Sequence, residues 1–233
     1  MSKPVAIITG AGKGIGRATA VELATRGYDL VVTARTQADL DETIKQAGGG
    51  VAIPADVSRL EDVDRVVAET SKRFGRIDAL VNNAGYAPVR SIAQMTTDEW
   101  RQVIDTNLSA TFYFCRAVFA IMKQGGGGAI VNISSMSSRD PFMGLGAYGA
   151  AKAGVNILSL ALAREGEPHN ITAYTVAPGA VETGMFRRLL TKDQYPPSKT
   201  LEPADVARVI AQCICGDLKH SAGEVIYVHK RLK

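Results

Sequence analysis

The chain has few cysteines and few histidines, three of each among 233 residues. Cys115, Cys213 and Cys215 are odd in number and follow no signal-peptide core. The sequence therefore predicts no disulfide framework and a reducing, cytoplasmic location. No His or Cys stands at metal-ligand spacing from Cys213 and Cys215, so we expect buried thiols there and no metal site.

Long apolar runs and dense basic runs are also missing. Every apolar run is too short to span a bilayer, so no membrane contact is expected. The net charge of +4 is spread along the chain, and no aromatic residues alternate with basic ones, which argues against nucleic-acid binding. The basic residues at the end, Lys219, Lys230, Arg231 and Lys233, are interpreted as a solvated tail. Since no linker-like stretch interrupts the chain, residues 1–233 are predicted to form one domain.

The chain does contain a regular alternation of short, β-branched apolar runs and longer segments with helical periodicity. The predicted strands are Val5–Thr9, Leu30–Thr33, Val51–Ile53, Ala79–Val81, Ala129–Ile133, Ile171–Val176 and Val225–Val228. The predicted helices are Ile15–Arg26, Gln37–Ala47, Leu60–Phe74, Asp98–Lys123, Tyr148–Arg164 and Ala204–Cys215. Because the strands are apolar on both faces, they predict an α/β fold: a Rossmann-like, doubly wound parallel sheet of about seven strands flanked by helices.

Glycines mark several predicted boundaries. Gly27, Gly75 and Gly166 fall where helices should end in a left-handed residue, and Gly125–Gly128 should form a turn before the fifth strand. The least periodic segment, residues 184–203, follows the sixth strand. Ligands of open α/β sheets bind beyond the carboxyl ends of the strands, so this segment is a candidate substrate lid.

A glycine-rich loop, T-G-A-G-K-G-I-G, lies between the first strand and the first helix. Glycine there permits a tight turn and close backbone approach, and the amides of a helix N-terminus bind a pyrophosphate. The spacing is G-x-x-x-G-x-G, and it also fits an ordinary flexible connection. The predicted cofactor contacts in this loop are Gly10, Gly12, Lys13, Gly14, Ile15 and Gly16.

The residue expected to reach the adenosine ribose is Arg35, nineteen residues after Gly16 at the end of the second strand. A guanidinium suits a 2′-phosphate, and Lys13 could approach that phosphate from the other side. Both cations favour NADP(H), with NAD(H) as the second possibility. In the alternative interpretation Arg35 is solvated, and Asp39 or Asp41 binds a ribose hydroxyl.

Tyr148 and Lys152 are four residues apart on a predicted helix and therefore share one face. An ammonium roughly 4 Å from the phenol would stabilise the phenolate by about 4 kcal/mol at an effective dielectric near 20. We therefore expect Lys152 to lower the pKa of Tyr148. Taken alone, Y-x-x-x-K is also typical of an ordinary surface pair.

The order of the motifs resembles the short-chain dehydrogenase/reductase family over nearly the whole chain. The matching positions are T-G-A-G-K-G-I-G, Asp56-Val57, Asn82-Asn83-Ala84-Gly85, Asn107, Ser135, Tyr148, Lys152 and Pro178-Gly179. The resemblance implies that Tyr148 is the acid/base and that Ser135, rather than its neighbour Ser134, orients and polarises the substrate carbonyl. It further implies that Lys152 holds the nicotinamide ribose and that Asn107 binds a water in a proton relay.

The same resemblance assigns the rest of a nicotinamide-cofactor site and an assembly. It places Asp56 and Val57 at the adenine, and it implies a homodimer or homotetramer. The remaining assigned residues lie on the cofactor side of the sheet or at the nicotinamide end, and they are Asn83, Ala84, Gly85, Pro178, Gly179, Val181 and Thr183.

Apolar side chains flank the predicted catalytic residues and are candidates for a substrate pocket, although ordinary packing explains them equally well. The candidates are Met136, Phe142, Met143, Met185 and Phe186. Arg187 and Arg188 in the candidate lid fit either an anionic substrate or a solvated helix face.

Three functions are consistent with these residues. The broadest family similarity is to 3-oxoacyl thioester reductases, and a sugar, polyol or general carbonyl oxidoreductase stays open. A non-enzymatic NADP-sensing regulator would not need Tyr148 or Lys152. Because all four catalytic positions are filled, an enzyme acting on a small carbonyl or alcohol is favoured.

Overall fold

The computed structural model describes residues 3–230 and contains one parallel sheet of seven strands. The strands are β1 (Val5–Thr9), β2 (Asp29–Ala34), β3 (Val51–Pro54), β4 (Ala79–Asn82), β5 (Gly128–Ile133), β6 (Ile171–Pro178) and β7 (Val225–Val228). They lie side by side in the order β3-β2-β1-β4-β5-β6-β7. The order reverses direction at β1, as in doubly wound folds, so the predicted fold class is confirmed.

Helices cover both faces of the sheet. They are α1 (Gly14–Thr25), α2 (Gln37–Ala47), α3 (Leu60–Phe74), α4 (Thr97–Ile104), α5 (Ala110–Gln124), α6 (Gly146–Gly166), α7 (Gly184–Leu189) and α8 (Pro203–Ile214). Successive strand residues face opposite sides of the sheet. Ile8 and Val32 pack in one apolar cluster with α1 and α8, while Ile7 and Val31 pack in another with α3 and α5. Burial on both faces of the sheet accounts for the uninterrupted apolar sequences of the strands.

The predicted helix Asp98–Lys123 is wrong in one respect, because a π-helical turn at Asp105–Ser109 separates α4 from α5. Here the amide of Ala110 donates to the carbonyl of Asp105, five residues earlier. The side-chain amide of Asn107 donates to Val103 O at 2.8 Å, which is the carbonyl that the backbone of residue 107 would bind in a regular α-helix. The wider turn thus accommodates a buried polar side chain.

Three glycines were predicted to follow helix ends in the left-handed conformation; two of these predictions are confirmed and one is wrong. Gly27 and Gly75 have φ of 85° and 70°, directly after α1 and α3 end. Gly166 instead lies inside α6, because the chain continues through a 3-10 turn and becomes left-handed only at Asn170, with φ of 60°. Gly128 also differs from the expected turn, since it already belongs to β5.

Cys115 and Cys213 are buried, but Cys215 is exposed just after α8, so the expectation of a buried thiol is wrong there. Of the basic residues that were interpreted as a solvated tail, Arg231 and Lys233 lie outside the described residues. Lys230 donates from Nζ to Thr200 O at 3.4 Å and borders the cleft described below, so it is not simply solvated. Between residues 3 and 230, no helix has both the length and the apolar character needed to cross a bilayer.

Candidate active site

A cleft of about 740 Å³ lies at the carboxyl ends of the strands, where the chain order reverses. Most of the residues predicted from the sequence line it. On the cofactor side these are Gly10, Gly12, Lys13, Gly14, Ile15, Arg35, Asp56, Val57, Asn83, Ala84, Gly85, Pro178, Gly179, Val181 and Thr183. On the catalytic and substrate side they are Ser135, Met136, Phe142, Tyr148, Lys152, Met185 and Phe186. Gly16 and Asn107 lie behind the wall of the cleft.

The glycine loop is shaped by two left-handed glycines and one close contact. Gly10 and Gly14 have φ of 63° and 55°, which other residues rarely adopt. A Cβ on Gly16 would overlap the carbonyl oxygen of Gly10 and lie 2.5 Å from Nδ2 of Asn83. That amide of Asn83 donates to Thr9 O at 3.0 Å and to Gly10 O at 3.1 Å. Gly16 therefore permits α1 to pack directly on the end of β1.

The N-terminus of α1 suits an anionic group. No side chain caps it, and its first turn contains no acidic residue. The first amides of a helix carry no internal partner, and the helix dipole favours negative charge there. Because Gly12 and Gly14 leave the approach open, the loop fits the diphosphate of a dinucleotide.

Two side chains that the sequence analysis missed tie the glycine loop to α2. Arg17 donates from Nε to the hydroxyl of Thr43 at 3.0 Å, and its guanidinium also donates to the carbonyl of Gly12. Thr43 in turn donates to Ala11 O at 2.8 Å. These bonds fix the loop relative to the helix that follows β2. Neither residue belongs to a recognisable motif, so only the folded structure reveals them.

The adenosine end of the cleft contains charges of both signs. Arg35 is exposed at the end of β2 and lines the cleft. Lys13 is not free, because its ammonium lies 3.1 Å from the carboxylate of Asp39. Asp39 lines the cleft even though it belongs to α2, whereas Asp41 does not. Both interpretations of the sequence therefore remain open at this end of the cleft. Arg35 is placed to bind a 2′-phosphate, and Asp39 is placed to bind a ribose hydroxyl.

The adenine side is closed by the loop after β3. Asp56 accepts hydrogen bonds at its Oδ1 from the amide of Ser58, at 3.0 Å, and from the hydroxyl of Ser58, at 2.7 Å. Val57 is buried beside it. The turn is thus held by its own side chains in the position where the adenine contact was predicted.

Ser135 and Tyr148 meet at the other end of the cleft. Ser135 follows β5 and accepts a hydrogen bond at its Oγ from the amide of Ser137 at 3.1 Å. Tyr148 lies in the first turn of α6, and its phenol interacts with the Ser135 hydroxyl. A Cβ on Gly149 would lie only 2.5 Å from the carbonyl oxygen of Ser137. The glycine therefore allows α6 to approach the serine turn closely.

Lys152 lies one helical turn after Tyr148 and is buried. Its Nζ donates to Ile133 O at 2.7 Å and lies 5.7 Å from the centre of the Tyr148 ring. The neighbouring Ser134 donates from its hydroxyl to the backbone carbonyl of Lys152 at 3.1 Å, away from the phenol. Both serines line the cleft, but the hydroxyl of Ser134 is bonded to α6, and that of Ser135 interacts with the phenol.

The net pKa shift of Tyr148 is opposite in direction to the one expected from Lys152. Burial raises the pKa of Tyr148 to about 12, and the hydrogen bond with Ser135 opposes this only in part. Burial lowers the pKa of Lys152 to about 8. Desolvation disfavours the charged form of each group, and it is the largest cause of both shifts. Tyr148 is therefore a protonated phenol at neutral pH.

Asn107 is completely buried and has its side chain committed to the backbone. Nδ2 donates to Tyr86 O at 2.7 Å as well as to Val103 O, and Oδ1 accepts from the amide of Tyr86 at 3.2 Å. A Cβ on Gly85 would lie 3.0 Å from this Oδ1. Asn107 thus holds the loop after β4, and its predicted relay role stays a prediction.

A buried polar chain that the sequence analysis missed lies beneath the catalytic residues. Asn82 donates from Nδ2 to Oδ1 of Asn132 at 2.8 Å, and Asn132 donates from Nδ2 to the hydroxyl of Ser159 at 2.9 Å. Ser159 donates to Val155 O at 2.8 Å within α6. The chain therefore links β4 and β5 to the helix that carries Tyr148.

The apolar end of the cleft contains four of the five predicted side chains. Met143 is the exception, since it is 96% exposed and faces away. Phe186 contacts the ring of Tyr195 edge-on, with centroids 5.4 Å apart. Other residues line the cleft without having been predicted for it, because they carry no motif. They include Tyr86, Gln102, Asp140, Leu145, Tyr195, Lys199, His229 and Lys230.

No group of three or more potential metal ligands comes together within the described part of the chain. The cleft therefore offers hydrogen-bond donors, a phenol and a buried ammonium as its reactive groups. A phenol paired with a serine hydroxyl beside a dinucleotide cradle is suited to hydride chemistry at a carbonyl.

Comparisons with known proteins agree with this geometry. The sequence model of the short chain dehydrogenase family matches residues 4–194. A 3-oxoacyl-acyl-carrier-protein reductase of Synechocystis is 36% identical over 218 residues, 90% of this chain and 88% of the relative. An acetoacetyl-CoA reductase of Shinella zoogloeoides is 35% identical over 213 residues, 88% of each chain. Levodione reductase has a similar structure, with a TM-score of 0.91, 28% identity and coverage of 97% of this chain and 96% of the other.

The chain therefore belongs to the short-chain dehydrogenase/reductase family of oxidoreductases. Membership in this family implies a nicotinamide cofactor and a small-molecule substrate.

Proposed function

We propose that the protein is an NADP(H)-dependent oxidoreductase that interconverts a ketone or aldehyde and an alcohol. The observation that carries this proposal is the Ser135 and Tyr148 pair at one end of a cleft whose other end contains the glycine loop and Arg35. One continuous cleft thus joins a proton donor to a site that fits a dinucleotide phosphate.

In reduction, a nicotinamide held in the cleft would supply a hydride to the carbonyl carbon and would be left oxidised. The Ser135 hydroxyl holds the carbonyl oxygen beside Tyr148 and, being neutral, does not compete for the proton. The Tyr148 phenol donates its proton to the oxygen as negative charge develops there. The products are the alcohol and a phenolate, which regains a proton from solvent. In oxidation the same phenol must first be ionised.

Lys152 supports this chemistry from below the phenol. Its ammonium faces the Tyr148 ring from 5.7 Å, so it stabilises negative charge that forms on the phenolate. We propose that it also holds the hydroxyls of the nicotinamide ribose. We also propose that Asn107 binds a water of the proton relay.

The preference for NADP(H) rests on Arg35 and Lys13. Arg35 is exposed at the cleft, and Lys13 lines the same cleft from the glycine loop. Asp39 opposes a 2′-phosphate by its charge, but it is paired with Lys13. The local charge is therefore +1, which favours the phosphorylated cofactor over NAD(H).

We propose a 3-oxoacyl thioester as the substrate class, because two of the relatives named above are reductases of 3-oxoacyl groups. Met136, Met185 and Phe186 would contact the acyl chain, and residues 184–203 would act as the lid. The fold neighbour levodione reductase, whose name indicates a diketone substrate, keeps a diketone open as the second class. Exposed apolar side chains on α4 to α6, among them Trp100 and Phe112, support assembly as a homodimer or homotetramer.

The test is NADPH oxidation against a panel of 3-oxoacyl thioesters, diketones and sugars, followed by Tyr148→Phe with the best substrate. We expect the variant to bind NADPH normally and to lose about 10²- to 10⁴-fold in kcat, because it lacks the proton donor. Tyr113→Phe is the matched control, since Tyr113 lies on α5 outside the cleft. Undiminished carbonyl reduction by Tyr148→Phe would remove the basis of the proposal.

A further inference from the structure

Two adjacent arginines of α7 differ sharply in their surroundings. Arg187 is bound to Glu182 by a short ion pair, Nη2 to Oε2 at 2.5 Å, and also donates to the carbonyl of Tyr195 at 2.6 Å. Its guanidinium lowers the pKa of Glu182 to about 2. Arg188 is exposed, lines the cleft and forms no ion pair with any residue between 3 and 230. Arg187 therefore builds the candidate lid, and Arg188 presents an uncompensated charge to the cleft.

Other cations border the same end of the cleft. Lys199 follows in the candidate lid, and Lys230 reaches the same corner through its hydrogen bond to Thr200. Among the described residues at this end, Asp140 is the one carboxylate lining the cleft, and none of these cations lies within ion-pair distance of it. The wall thus has excess positive charge, and a cleft lined by one sign of charge concentrates ligands of the opposite sign.

We infer that Arg188, assisted by Lys199, binds a phosphate or carboxylate group of a ligand in the cleft. The planar guanidinium can donate two parallel hydrogen bonds to either group. The inference rests on the proposed function, and it adds an anion-binding site that the chemistry at Tyr148 does not require.

The position of α7 allows two sources for this anion. At the start of α7, Thr183 lies against the glycine loop, since a Cβ on Gly14 would be 3.1 Å from its Cγ2. The cofactor diphosphate would therefore pass close to α7. Phe186 and Met136 place the same segment beside the substrate end, so a charged group of the substrate is the other source.

The experiment compares Arg188→Gln with Lys192→Gln. Lys192 is an exposed cation of the same segment that does not line the cleft, so its variant has the same change in charge. NADPH binding is followed by fluorescence titration. Binding of acetoacetate and of methyl acetoacetate, which differ in one negative charge, is then measured by calorimetry with the NADP-loaded enzyme.

We expect Arg188→Gln to weaken binding of the anion by about 10- to 100-fold, the effect of losing a charge-assisted hydrogen bond. If the affected ligand is NADPH, the anion is the diphosphate. If it is acetoacetate while methyl acetoacetate is unaffected, the anion belongs to the substrate. If Arg188→Gln matches Lys192→Gln for all three ligands, the inference is wrong while the proposed function stands. A wild-type protein that does not bind NADPH would instead contradict the proposed function itself.

Discussion

Cofactor preference gives the sharpest test of the adenosine end, and its first perturbation is Arg35→Gln. The substitution keeps a polar side chain but removes the charge that would face a 2′-phosphate. A hydrogen bond to a charged group contributes about 1.5–3 kcal/mol, and the exposure of Arg35 places it near the lower value. Since about 1.4 kcal/mol corresponds to a tenfold change in a dissociation constant, Kd for NADPH should rise roughly tenfold. Kd for NADH should not change.

The second perturbation, Asp39→Asn, should act in the opposite direction. It removes a carboxylate from the cleft and releases Lys13, whose ammonium lies 3.1 Å away. The two side chains are 75% and 28% exposed, so the ion pair itself contributes at most about 1 kcal/mol. The released ammonium should therefore tighten the binding of NADPH by no more than about fivefold. The backbone carbonyl of residue 39, which accepts from Arg17, is unaffected by the change.

Both variants are assayed by fluorescence titration with NADPH and with NADH, and thermal unfolding checks that each is folded. If Arg35 and Asp39 act at the 2′-position as proposed, the two variants should shift the ratio of the two dissociation constants in opposite directions. Equal binding of NADPH and NADH by the wild-type protein would refute it. So would shifts of the same sign and size for both cofactors in Arg35→Gln, because they would show that Arg35 does not distinguish a 2′-phosphate.

Three further predictions concern the loop, the buried polar chain and pH. Gly16→Ala should destabilise the protein by about 1–3 kcal/mol and weaken NADPH binding, because the new Cβ overlaps the Gly10 carbonyl; an unchanged melting temperature would contradict this. Asn132→Leu should cost about 1–3 kcal/mol in urea unfolding by leaving Asn82 without its main acceptor, and wild-type stability would disprove it. Since the raised pKa keeps Tyr148 protonated, and Lys152 keeps its charge below its lowered pKa, kcat for reduction should stay level from about pH 5 to about pH 7 while kcat for oxidation rises; parallel profiles would count against this.

The elements that could be predicted from the sequence are those with local signals. Helices Gln37–Ala47 and Leu60–Phe74 have the predicted bounds, because left-handed glycines follow both and periodic apolar residues fill them. The π-helical turn at Asp105–Ser109 could not be predicted in this way. It depends on the buried side chain of Asn107 and its partner at Tyr86, a contact between separate segments that residue type does not reveal.

In the candidate site, too, some features could be predicted from the sequence, while others depend on contacts that only the fold creates. Residues at strand ends and in the glycine loop could be predicted to lie together, since parallel strands bring their carboxyl ends to one edge. The pairing of Lys13 with Asp39 and of Arg187 with Glu182 could not, because it depends on how far side chains reach between elements. The direction of the pKa shift at Tyr148 was also wrong, because its burial is a property of the fold.

The strand order has a consequence for exchanging parts between family members. The contacts proposed for the adenosine half come from β1 to β3 and their loops, all before residue 59, while Ser135 and Tyr148 come much later in the chain. The two stretches share both apolar clusters and the pairing of β1 with β4, and at the end of β1 they are also joined by hydrogen bonds of Thr9 and Asn83. The residues proposed to set cofactor choice therefore lie in one contiguous block. An exchange of this block between family members must match Thr9 to the asparagine after β4, and the apolar side chains of α1 to those of α8.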